Sequence, residues 1–290
     1  AKYQGTPTGG KQSSPVYAAM VESADAAVGR VLAALDEHKL TEKTLVIFTS
    51  DNGGLATIEG PNTPATSNAP YREGKGYLYD GGVRVPLVVR GPGVKPGTTG
   101  VPVTSQDVFP TVLAACGVTA DVRPDGVNLG PVLAGGTVDR DALFWHYPHY
   151  SNQGGKPGGA VRAGTMKLIE FAETGRRELF DLKADPSESR NLAADKPDVV
   201  AALAKKLADW RAAVGAQGMT PNPDYKPNPQ AADGTVTLHA KTADVHGVML
   251  RYEPLPHKNT LGFWTKADDY ATWEFELTTP GTFTVEVLQG

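Results

Sequence analysis

The sequence predicts an α/β architecture followed by a small β-rich tail, and three observations carry that expectation. A long amphipathic stretch beginning at Ser14-Pro15 runs into the apolar run Leu45-Val46-Ile47-Phe48-Thr49-Ser50, which ends abruptly in Asp51-Asn52-Gly53-Gly54. A second apolar run, Val85–Arg90, follows the glycine cluster Gly74-Lys75-Gly76 and Asp80-Gly81-Gly82. After residue 140 the pattern changes to short strand-like runs and then a helix. Helix, buried strand and polar loop in that order is how an α/β protein presents ligands beyond the carboxyl end of a strand.

Taken in order, Ser14 reads as a helix N-cap with Pro15 at the first helical position. Val16, Met20, Ala24, Ala27, Val28, Val31, Leu32 and Leu35 then recur at helical spacing, while Glu22, Asp25, Arg30 and Asp36 fill the other face. Leu45–Ser50 and Val85–Arg90 read as buried strands, with residues 55 to 76 between them forming a surface loop near a ligand. Gly91-Pro92-Gly93 and Pro96-Gly97 close the second strand in turns. A helix is expected from about Ser105, with Val108, Val112 and Leu113, stopped by Gly117. Leu143–Trp145, Ala160–Phe171 and Glu178–Leu182 read as a small antiparallel sheet. Val199, Leu203, Leu207, Trp210 and Val214 mark a helix able to cover one of its faces. The division expected is residues 1–140, 141–218, a linker over 219–232 rich in Pro and Asn, and a partial β-sandwich-like module over 233–290. In that module Trp273, Phe275, Leu277, Phe283, Val285 and Val287 alternate around Pro280-Gly281 as a hairpin would.

Composition excludes several classes. The 290 residues suffice for one sizeable core and a small second domain. With 28 basic residues scattered among 32 acidic ones and a net charge of −4, nothing points to nucleic acid. No apolar stretch approaches the roughly 18 residues of a membrane span, and no signal peptide opens the sequence. Cys116 is the single cysteine, so there is no disulfide framework. It reads as a small buried residue on its helix.

Asp51 and Asn52 are the strongest candidates for a site. Carboxylate and amide oxygens suit a hard divalent cation, and Gly53 and Gly54 allow the backbone to bend so that both can face it. The same residues also suit a plain turn that ends a strand. Lys75, between glycines, offers a compact ammonium with three donors for an oxyanion, or else a solvated loop lysine. It lacks the spacing of a nucleotide-binding loop. Arg84 is expected to pair with a carboxylate and fix the turn before its strand. His146 and His149, within Trp145-His146-Tyr147-Pro148-His149-Tyr150, suit recognition of a sugar or aryl group, or equally packing and hydrogen bonding.

Asp51-Asn52-Gly53-Gly54, with Gly74-Lys75-Gly76 and Asp80-Gly81-Gly82-Val83-Arg84-Val85-Pro86, resembles the sulfatase family of the alkaline phosphatase superfamily over roughly residues 2 to 225. The resemblance implies the C-terminal part of that α/β fold with its small antiparallel subdomain. It implies Ca²⁺ on Asp51 and Asn52, Lys75 on the sulfate group, His146 and His149 near the mouth of the site, and hydrolysis of an aryl sulfate or a sulfated glycan. The family's nucleophile is a formylglycine made from the cysteine of a Cys-x-Pro-x-Arg motif. No such motif occurs here, and Cys116 lacks its proline and arginine. Two acidic metal ligands and a catalytic histidine expected ahead of Lys2-Tyr3 are also missing. The chain therefore reads as an inactive portion truncated at its N-terminus and cut again at its C-terminus. A periplasmic or secreted location follows from the resemblance alone. The rivals are a phosphomonoesterase or phosphodiesterase of the same superfamily, and a glycan-binding protein with an inactive enzyme domain.

Overall fold

The structure is a computed structural model that describes residues 2–5, 12–57, 63–220, 228–247, 250–253 and 259–288. The chain divides into two compact units, Ala1–Met219 and Thr220–Gly290. The middle of the expected linker, residues 221–227, lies outside the described residues, as does 58–62 of the loop before Lys75.

In the first unit, α1 spans Pro15–Glu37, and the Ser14 side chain accepts a hydrogen bond from the Tyr17 N–H, as the sequence predicts. β1 (Val46–Thr49) pairs antiparallel with β2 (Leu87–Arg90) in the register Val46↔Arg90 to Thr49↔Leu87. Between them lies the single turn α2 (Asp80–Val83). The expectation that these two strands are buried is not met. They form a two-stranded ribbon, and Phe48 and Val88 are about half exposed because no described element covers their face. None of α1 is buried either. After β2, a Thr104/Asp107 capping box opens a short 3₁₀ turn into α3 (Val108–Ala115), and Gly117 follows with φ 64° as the helix stop. Cys116 ends this helix exposed, not buried, since no described residue packs over it. The short helix α4 spans Gly130–Leu133.

The best-packed part is a four-stranded antiparallel sheet in sequence order, formed by β3 (Leu143–Tyr147), β4 (Gly158–Ala163), β5 (Met166–Phe171) and β6 (Arg177–Asp181). The run expected as one strand over Ala160–Phe171 is two, because Gly164, at φ 58°, opens a two-residue turn that pairs Ala163 with Met166. α5 (Pro197–Ala213) lays Leu203, Ala204 and Leu207 on Val161, Leu168 and Leu179. The opposite face packs Ala160, Ile169 and Phe180 against Leu78 and Tyr79, which lead directly into α2. Alternation along the strands thus gives the sheet one face for a helix and one for the site loops.

The second unit contains two antiparallel pairs. β7 (Asp244–His246) pairs with β10 (Tyr270–Thr272), and β8 (Arg251–Glu253) with β9 (Thr260–Gly262). The expected hairpin across Pro280-Gly281 does not form: residues 280–288 carry no strand, and Val285 and Val287 are exposed. Alternation supplies a hairpin only when one face finds a core to cover.

Candidate active site

Three glycine-bearing segments meet around the α2 turn. The Gly53 N–H donates to the Gly82 carbonyl at 2.9 Å, and a methyl group built on Gly53 would stand 1.7 Å from the Gly81 oxygen. From the other side, the Gly81 N–H donates to the Arg72 carbonyl at 2.9 Å, and a methyl on Gly82 would lie 2.2 Å from the Tyr77 oxygen and 2.5 Å from that of Gly74. Backbones approach this closely only where no side chain intervenes. The Lys75 N–H reaches the Gly54 carbonyl at 3.2 Å, so the loop after β1 and the lysine loop also bond directly.

Asn68 ties the same two loops together. Its Oδ1 accepts from the Gly54 N–H at 2.9 Å, while its Nδ2 donates to the carbonyls of Gly54 at 2.9 Å and Glu73 at 3.0 Å. Sequence reading missed it. Asparagine is a common partner of loop backbone, but nothing in the sequence separates Asn68 from its polar neighbours.

Presented on this frame are the predicted side chains. Asp51 is exposed, with one oxygen accepting the Asn52 N–H at 3.0 Å, and Asn52 is half-buried. The Lys75 side chain is exposed and makes no hydrogen bond or ion pair among the described residues. Beside it, the loop after β3 packs on Gly76 and Tyr77. The Tyr77 hydroxyl donates to the Gln153 carbonyl at 2.5 Å, and a methyl on Gly76 would meet the Ser151 and Gln153 side chains. His149 starts that loop, exposed, with its ring edge-on to Tyr147 at 5.4 Å. His146 does not join it. Strand alternation turns it to the α5 side of the sheet, where Nε2 donates to the Gln217 carbonyl at 2.7 Å and Nδ1 is buried with no hydrogen-bond partner among the described residues. Trp145 and Tyr147 point the other way, toward Leu78 and Tyr79. The two histidines therefore serve different faces.

Beneath α2 lies a buried ionic cluster that sequence reading also missed. Lys167, fully buried on β5, donates to Asp80 Oδ1 at 2.8 Å and lies 2.9 Å from Glu188 Oε1. Glu188 Oε2 accepts the Asp80 N–H at 2.6 Å. Arg84 stands 3.6 Å from Asp80 Oδ2, the carboxylate pairing its sequence context predicts, and stacks on the Tyr71 ring. Arg72 covers the Tyr79 ring at 3.9 Å and donates to the Glu188 carbonyl, while the Tyr79 hydroxyl donates to Glu178. Burial pushes the Glu188 carboxyl above its ordinary range, with Lys167 opposing, and burial beside Glu178 pushes the Tyr79 hydroxyl up strongly. The signal available in sequence was a lysine within the otherwise apolar run Met166-Lys167-Leu168-Ile169.

The donors at Asp51 and Asn52 fit a hard cation in kind, one carboxylate and one amide oxygen at a bent strand end, but not in number. Among the described residues no group of three or more His, Cys, Asp or Glu side chains could hold a metal ion. No helix among them is long and apolar enough to cross a membrane.

The family model described as Sulfatase matches residues 1–118, and that of the C-terminal region of N-sulphoglucosamine sulphohydrolase matches residues 73–213. This chain belongs to the sulfatase family. A sulfatase of Formosa agariphila is 35% identical over 222 residues, covering 67% of this chain and 39% of that protein. Human arylsulfatase A is 36% identical over 207 residues, covering 68% and 39%. Among solved structures, the complex of Ps i-CgsB with k-i-k-neocarrahexaose aligns at TM-score 0.59 and 25% identity, over 70% of this chain and 44% of that one. A phosphonate monoester hydrolase of Agrobacterium radiobacter aligns at 0.51 and 32%, over 67% and 40%. The chain spans about two fifths of the length of the curated relatives it matches.

Proposed function

We propose that this chain supplies the metal-and-lysine side of a sulfate-ester hydrolase centre. The observation that carries the reading is the mutual locking of the Asp51-Asn52 loop and the Lys75 loop, through Asn68, the Lys75–Gly54 backbone bond and the glycine contacts at α2. Such locking joins the backbone segments that carry a carboxylate, a carboxamide and an ammonium into one frame, the kind of preorganisation that oxyanion chemistry requires. Asp51 and Asn52 would be two of the ligands of a divalent cation, Ca²⁺ in this proposal, which when bound would supply Lewis-acid polarisation of the sulfate oxygens. The Lys75 ammonium donates to those oxygens as charge builds on them. The Ser151–Gln153 loop packs against Gly76, the residue after Lys75, and in this proposal it and His149 would border the alcohol portion of an aryl sulfate or a sulfated glycan. Cys116, exposed at the end of α3, is no nucleophile in this scheme. A nucleophile and further metal ligands, the formylglycine and acidic residues typical of the family, must come from outside the site residues assembled here.

In this proposal residues 1–140 belong to the catalytic α/β domain and 141–218 to its C-terminal subdomain, with 219–232 as linker and 233–290 as a separate β-module. A periplasmic or secreted protein is the matching location. The phosphonate hydrolase likeness gives a second reading, a phosphoryl or phosphonyl ester hydrolase, some support.

Calorimetric titration of the chain with calcium chloride and with sodium sulfate tests the proposal. Weak calcium binding lost in Asp51→Ala, sulfate binding lost in Lys75→Ala, and no release of phenol from an aryl sulfate by this chain alone are the expected results. Wild-type sulfate binding by Lys75→Ala would overturn it, and phosphate bound far more tightly than sulfate would favour the second reading.

A further inference from the structure

We infer that Lys167 and Glu188 are positioning residues for the Asp51-Asn52 and Lys75 loops, acting through the Asp80-Gly81-Gly82 turn. The path is a chain of short contacts. Lys167 and Glu188 hold Asp80 by its side chain and by its N–H, at 2.8 and 2.6 Å. Asp80 starts the turn whose Gly82 carbonyl accepts the Gly53 N–H, and whose Gly81 and Gly82 Cα atoms have backbone oxygens of Arg72, Glu73, Gly74 and Tyr77 against them. Arg72 closes the circuit by donating to the Glu188 carbonyl at 3.1 Å.

Two features point beyond mere packing. The charges are sealed from solvent, with side-chain exposures of 0% for Lys167, 0% for Glu188 and 4% for Asp80. A fully desolvated ion cluster is weak evidence for stability but strongly directional, because few arrangements satisfy it. Moreover, Glu188 itself sits at φ 49°, a backbone strain for a non-glycine residue, held by a loop in which Asp185 accepts from the N–H groups of Ser189 and Arg190. The sheet thus fixes Lys167, the strained loop fixes Glu188, and together they fix a turn on which both site loops rest. Neither residue touches the reacting atoms.

The inference rests on the proposed function only for what the loops bind, and the test separates the two. Amide ¹H–¹⁵N spectra of the whole chain would be compared for wild type, Glu188→Gln, Lys167→Met and the control Leu203→Ala, which damages the apolar cluster on the α5 face instead. Each sample is then titrated with sodium sulfate. In Glu188→Gln one amide oxygen can still accept the Asp80 N–H, but the amide nitrogen then faces the Lys167 ammonium, so the turn must move. The expected result is displaced Gly53, Gly54, Gly74 and Lys75 amides in both site variants, with sulfate binding weakened at least tenfold. The control should lower the melting temperature and leave those four amides in place. Unmoved loop amides in a folded Glu188→Gln or Lys167→Met protein overturn the inference, as does loss of folding in both, which would make the cluster purely structural. Displaced amides with no sulfate binding even in the wild type leave the positioning intact and refute the sulfate reading.

Discussion

Replacing Gly53 by alanine is the sharpest single perturbation of the site. The added methyl would stand 1.7 Å from the Gly81 carbonyl oxygen and 2.8 Å from its carbon. Ordinary contact begins near 3.4 Å, so loop and turn must part by about 1.7 Å. The opposing atom is the backbone of a buried turn, not the end of a flexible side chain, so the turn cannot yield without disturbing Asp80 and its ion pairs. Overpacking of this kind costs about 1–3 kcal/mol. Parting the chains also breaks the Gly53–Gly82 hydrogen bond, worth roughly another 1 kcal/mol. A loss of about 2–4 kcal/mol should lower the melting temperature by roughly 4–16 °C for a unit of this size. Calcium binding should fall with it, because Asp51 and Asn52 are carried on the displaced loop. Gly29→Ala, in α1 with nothing near its added methyl, should instead leave stability unchanged or raise it by up to about 1 kcal/mol. Thermal unfolding followed by circular dichroism, with calorimetric calcium titration, measures both effects. A Gly53→Ala protein that melts and binds calcium like the wild type would refute the close approach on which the site geometry rests.

Lys75→Ala should change stability by no more than about 0.5 kcal/mol, since the side chain is exposed and makes no hydrogen bond or ion pair among the described residues, while sulfate binding disappears; a collapsed melting curve would make Lys75 structural. In an enzyme with a full set of catalytic groups the same change should cost on the order of 10²–10³ in kcat/KM. Because burial raises the Glu188 carboxyl from its ordinary value of 4.5, the folded state holds that proton more tightly than the unfolded one. Its contribution is complete below 4.5 and is lost as pH rises through the raised folded value, so wild-type stability should decline with pH above 4.5 relative to Glu188→Gln, and parallel pH profiles would contradict this. Leu207→Ala, fully buried on the sheet-facing side of α5, should cost about 2–5 kcal/mol by chemical denaturation while leaving sulfate binding intact, and a loss below about 1 kcal/mol would mean that the helix does not pack as described.

The sequence by itself determined the local elements and the kinds of chemistry on offer. Ser14-Pro15 and the helical periodicity set α1, the apolar run set β1, and the spacing of Leu203 and Leu207 set the face that α5 buries, because each depends on neighbours within a few residues. The Asp-Asn-Gly-Gly and Gly-Lys-Gly motifs likewise announced hard oxygens and an ammonium. Tertiary structure alone decided which of these groups share a frame. Asn68, Lys167 and Glu188 gain their roles from contacts 14 to 108 residues apart in sequence, and no local pattern encodes the partner across such a gap. The same reason separates His146 from His149: His146 lies on the α5 face of β3, whereas His149 lies past the end of that strand against Tyr147, and only packing says which face holds the helix and which the site loops. Exposure, too, was set at that level. Phe48, Val88 and Cys116 have the composition of buried residues, and whether they are buried depends on a second layer that their own segments do not specify.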